Sequence, residues 1–67
     1  MKLGDAIRAQ RLSLKMSQEA LADAARINRT HMGEVERGKR NISIIGVMKV
    51  AKALGVTAAS LMTTAGL

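Results

Sequence analysis

Arg29 and Thr30, with Glu34 about one helical turn further on, are the side chains here best suited to meeting the edge of a base. The guanidinium of an Arg is a planar fork that bonds O6 and N7 of guanine together. A Thr offers a hydroxyl to phosphate or a methyl to thymine, and a Glu accepts from cytosine N4 or turns phosphate away. Around them stand groups that suit phosphate oxygens: Gln18, Arg37, Lys39, Arg40 and Asn41, with His31 as a further surface contact. Each also has a plainer reading. Arg29 can pair with Glu19 or touch phosphate, Thr30 can be an ordinary first-turn residue, Glu34 can be solvated, and a charge run is often only a wet surface.

Catalytic chemistry has little to work with. The chain holds no Cys and one His, and it shows no Gly-rich phosphate loop following a strand. We therefore expect no catalytic residue, no metal site and no cofactor.

Two helices joined by a tight turn would position the candidate residues. Ser17 is a good N-cap, followed by Gln18 and Glu19 in an opening turn, and Leu21, Ala22 and Ala25 give an apolar face at helical spacing. This predicts a helix over 18–25. Asn28 caps a second helix over 29–37, closed by Gly38, with Met32, Val35 and part of Glu36 inward. Arg29, Thr30, Gly33, Glu34 and Arg37 then face out. Such a pair, at about 18–37, describes a helix-turn-helix whose polar face is the right width for a major groove.

The remaining elements are helical too. Leu3, Ile7, Arg11 and Leu14 share one face of a helix over about 3–14, with Arg11 in need of a partner. Ser43 caps a fourth helix with Ile44, Val47, Met48, Ala51 and Leu54 inward, ended by Gly55. Thr57 caps a short last helix, about 57–62, and residues 63–67 are expected to fray. The fold class is all-α, in a single domain over 1–67.

Charge narrows the partner. Of eleven basic residues, five (Arg26, Arg29, Arg37, Lys39, Arg40) fall between positions 26 and 40, in a chain of net charge +6. The chain has no aromatic residue, which disfavours single strands and RNA, whose bases are held by stacking on rings. Double-stranded DNA is the expected partner. No apolar run reaches the length of a membrane span and no signal-peptide pattern opens the chain, so we expect no membrane partner and a cytoplasmic protein. A core built without aromatics or disulfides in 67 residues supplies only about 3–5 kcal/mol, which makes self-association attractive.

The blocks Ser17-Gln18-Glu19-Ala20-Leu21-Ala22, Asn28-Arg29-Thr30, Glu36-Arg37-Gly38 and Arg40-Asn41-Ile42-Ser43 resemble the Cro/cI-type (XRE) family of helix-turn-helix regulators. Within it they are most similar to the controller proteins of restriction–modification systems. The resemblance covers about residues 3–62 and implies a five-helix, lambda-repressor-like DNA-binding domain. It implies that Gln18 bonds a phosphate and braces the third helix, and that Arg29, Thr30 and Glu34 face base edges. Arg37, Lys39, Arg40 and Asn41 would follow the DNA backbone, and Arg11 and Glu36 would form an ion pair. Lys15 and Arg26 stand where the family usually has Gly, at roughly 1 kcal/mol each if the backbone is left-handed there.

Leu54, Val56, Leu61 and Met62 either complete the monomer core or form a two-fold dimer patch, as the family suggests. The implied function is a transcriptional regulator that binds a pseudo-palindromic operator as a homodimer, repressing over a promoter or recruiting RNA polymerase from just upstream. Control of a restriction–modification operon is the leading context. A phage Cro-like repressor or a DNA-binding antitoxin is the alternative.

Overall fold

Four side-chain caps set where helices begin. The Ser17 hydroxyl accepts from the Ala20 N–H at 3.0 Å, and Asn28 Oδ1 accepts from the N–H groups of Thr30 and His31 at 2.8 and 3.1 Å. Ser43 accepts from Gly46, and Thr57 from Ser60, both at 3.0 Å. Each satisfies donors that a first turn leaves without partners inside the helix. In the computed structural model, which describes residues 3–66, these caps open α2 (Gln18–Ala25), α3 (Arg29–Glu36), α4 (Ile44–Leu54) and α5 (Ala58–Thr64). They follow α1 (Leu3–Ser13), and among the described residues every regular element is helical.

Left-handed residues end the helices. Gly38 (φ 73°) follows α3 and Gly55 (φ 74°) follows α4. Lys15 (φ 56°) and Arg26 (φ 57°) do the same work after α1 and α2 despite carrying a Cβ, at roughly 1–2 kcal/mol each.

One large side chain from each helix meets at the centre: Ile7, Leu21, Met32, Val50 and Leu61 are fully buried. α4 packs on α1, α2 and α5, while α1 also crosses α3. That crossing requires Gly4. A Cβ there would run into the Val35 carbonyl oxygen and lie 3.0 Å from that of Glu36. The close approach carries Arg11, two turns further along α1, onto the end of α3.

Four sequence expectations are corrected. Leu14 is exposed, because α1 stops at Ser13 and the chain turns at Lys15; Ala6 and Gly4 complete that face instead. In α4 the buried stripe is Val47, Val50, Ala51 and Leu54, with Ile44 and Met48 exposed. Gly33 is buried, because the Gln18 and Arg37 side chains close over it. The tail is held further than expected: α5 runs to Thr64 and Ala65 is fully buried. Position 67 lies outside the described residues.

Candidate nucleic-acid interface

The turn between α2 and α3 brings the expected contact residues onto one surface. Because Asn28 caps α3, Arg29 and Thr30 occupy its exposed first turn. Because Ser17 caps α2, Gln18 and Glu19 occupy that helix's first turn beside them. Together with Gly33 and Arg37, these four line a shallow depression of about 330 Å³. Gln18, Arg29, Thr30 and Arg37 therefore share one face, although 18 residues of chain lie between the first and the last.

Arg29 is held by carboxylates from α2. Its Nη2 and Nε donate to the two Asp23 oxygens at 2.8 and 3.2 Å, and Nη1 reaches Glu19 Oε2 at 3.4 Å. The hydrogen bond from Arg29 holds the Asp23 carboxyl below its usual range, and Asp23 raises the guanidinium in return. All three side chains are more than half exposed. Glu19 was anticipated as a partner; Asp23, which makes the shorter bonds, was not. Its one signal in sequence is its place four residues after Glu19, on the same face of α2.

Beneath this surface lies a buried charge network. Arg11 Nε and Nη2 donate to the two oxygens of Glu36, both at 2.9 Å, and Nη1 donates to the Met16 carbonyl at 2.9 Å. Arg11 is 8% exposed and Glu36 5%. Gln18 Nε2 joins them, donating to Glu36 Oε1 at 3.2 Å. Its amide carries two N–H donors, so one remains for another acceptor.

Glu34 is half-buried, with Arg40 Nε 3.3 Å from its Oε1. Arg37, Lys39, Arg40 and Asn41 are all exposed in the segment that leaves α3 through Gly38. His31 is half-buried, and its backbone N–H donates to Asn28 Oδ1.

The four residues weighed for self-association do not stay together. Leu54 (4% exposed) and Leu61 (1%) belong to the monomer core, whereas Val56 and Met62 are half-buried. The larger exposed apolar surface comes from α4, where Ile45 and Met48 are 63% and 58% exposed. With Val56 and Ala58 they line a groove of about 570 Å³ flanked by Lys49 and Lys52. Sequence reasoning placed Met48 inside and did not single out Ile45.

Comparison with known proteins agrees with this geometry. Residues 7–61 match the model of a family described as helix-turn-helix. Control protein C.BamHI of Bacillus amyloliquefaciens is 44% identical over 66 residues, covering 94% of this chain and 82% of that protein. Control protein C.SmaI of Serratia marcescens is 37% identical over 97% of this chain and 77% of that one. Among solved structures, the restriction–modification controller protein C.AhdI from Aeromonas hydrophila superimposes with a TM-score of 0.86. It is 37% identical and the match spans 88% of this chain and 89% of that one.

Proposed function

This chain belongs to the helix-turn-helix family and is a relative of restriction–modification controller proteins, and on that premise we propose that it regulates transcription as a sequence-specific DNA-binding homodimer. The first turn of α3 enters the major groove. Arg29 reads guanine through its paired N–H groups, Thr30 meets a thymine methyl or a phosphate, and Glu34 accepts from cytosine or rejects mismatched neighbours. Gln18, with its remaining amide N–H, and the flanking Arg37, Lys39, Arg40 and Asn41 hold the phosphate backbone, with His31 at the edge of that contact.

The observation that carries this reading is the shared face of Gln18, Arg29, Thr30 and Arg37 across the α2–α3 turn. A chain of net charge +6 supplies the long-range attraction. Self-association is supported by the exposed apolar groove of α4 and α5, where Val56 and Ala58 lie beside Ile45 and Met48. Two copies joined there would present two α3 helices to two half-sites. Bound over a promoter the dimer represses; bound upstream it recruits RNA polymerase. The proposed genes are those of a restriction–modification system, after the relatives it matches.

Selection of bound duplexes from a random pool tests this. The expected product is a pseudo-palindrome with half-site centres about 10 base pairs apart, one helical turn of DNA. Recovery of duplexes with no shared sequence would refute it.

A further inference from the structure

We propose that Asp23 is a specificity-determining positioning residue, which holds Arg29 ready for guanine and keeps the same guanidinium off phosphate. This rests on the reading of Arg29 as a base contact.

The geometry of the fork carries the inference. Arg carries five N–H donors in a fixed plane. Asp23 takes one on Nε and one on Nη2, along the side edge of the guanidinium, while Glu19 takes one on Nη1. One N–H on each terminal nitrogen remains, and a guanine presents two acceptors, O6 and N7, to such a pair. The side chain is thus aimed and partly immobilised before DNA arrives, so less rotamer freedom is lost on binding.

Stability does not account for the arrangement. Arg29 and Asp23 are both more than half exposed, and ion pairs so placed add little to folding. Charge gives it a second effect. Asp23 and Glu19 together set two negative charges against one positive charge, on a face that elsewhere attracts anions. A phosphate approaching Arg29 meets a carboxylate already in place and a net repulsion. A guanine edge carries no formal charge and meets neither. The device penalises the wrong ligand more than the right one.

The test compares Asp23→Asn, Arg29→Ala and the double variant with the parent chain. Each is titrated against a duplex enriched by the parent from a random pool and against a scrambled duplex of equal length. For Asp23→Asn, discrimination between the two should fall by about tenfold, partly through tighter binding to the scrambled duplex. Its melting temperature should match the parent's, which a purely structural role would not allow. On the Arg29→Ala background, the same change should leave discrimination where Arg29→Ala alone puts it. Unchanged discrimination in Asp23→Asn, beside a loss in Arg29→Ala, overturns the inference and leaves base reading intact. Unchanged discrimination in Arg29→Ala overturns the base-reading role itself, and the inference with it.

Discussion

Replacing Glu36 by Gln removes one charge from the most enclosed ion pair among the described residues, and its cost follows from what is left behind. Arg11, 8% exposed, would keep its bond to the Met16 carbonyl while losing both charged acceptors. An uncompensated buried charge of this kind costs about 3–5 kcal/mol. A small core of this type supplies about the same amount in total. Glu36→Gln should therefore be largely unfolded at 25 °C, and Arg11→Met should fare similarly, because it strands the carboxylate of Glu36 with only Gln18 to bond it. The double variant Arg11→Met/Glu36→Leu buries no charge. Swapping a buried pair for apolar side chains of similar volume is often neutral, so it should lie within about 2 kcal/mol of the parent. Gln18 can turn its freed amide to water, since it is only half-buried. Urea titration followed by far-ultraviolet circular dichroism reads all four proteins. A double variant no more stable than either single variant would refute the reasoning, as would a Glu36→Gln loss below about 1 kcal/mol.

Three further outcomes are expected. Lys39→Ala should reduce the slope of log affinity against log salt by about one unit, with the order of preferred sequences kept; an unchanged slope removes Lys39 from the phosphate contacts. Acidification should titrate the Asp23 carboxyl at lower pH in the parent than in Arg29→Ala, read from its carboxyl carbon shift. A folded-state pKa below the unfolded one means that the pair contributes above the ordinary carboxylate range and is lost as pH falls through the depressed value. Equal midpoints would show that Arg29 does not hold Asp23 in solution. In sedimentation, Met48→Asp should give a folded monomer, because Met48 is exposed on the proposed seam, whereas Leu61→Asp should unfold the chain, because Leu61 is in the core. A Met48→Asp dimer of parental affinity would place the seam elsewhere.

What could be read in the sequence was what single residues decide by local chemistry. Ser17, Asn28, Ser43 and Thr57 cap their helices as their side chains require, and Gly38 and Gly55 end theirs. These six positions fix most of the element order, and with it the face that carries Arg29 and Thr30. The phase of α4 was not legible, because Ile44, Ile45, Val47, Met48, Val50 and Ala51 are all apolar. Hydrophobic spacing cannot choose an inward side on a helix apolar nearly all round; packing on α2 and α5 makes the choice. Leu54 and Leu61 were ambiguous for a related reason, since a core and an interface ask for the same residue type. Asp23 was missed because its partner lies across a turn made left-handed by Arg26. Sequence spacing on a helix says nothing about a contact formed around such a corner. Arg11 announced itself by standing in an apolar stripe, yet only the family resemblance named Glu36 as its partner.

The most direct test of the central claim alters the DNA and leaves the protein alone. In the duplex enriched by the parent chain, guanines are replaced singly by 7-deazaguanine, which deletes the N7 acceptor in the major groove and keeps Watson–Crick pairing. With Arg29 reading guanine from the first turn of α3, one substitution in each half-site should weaken the parent about tenfold, and the same substitution should leave Arg29→Ala indifferent. Parent and variant losing equally at that guanine, or a parent insensitive at every guanine, would contradict the account.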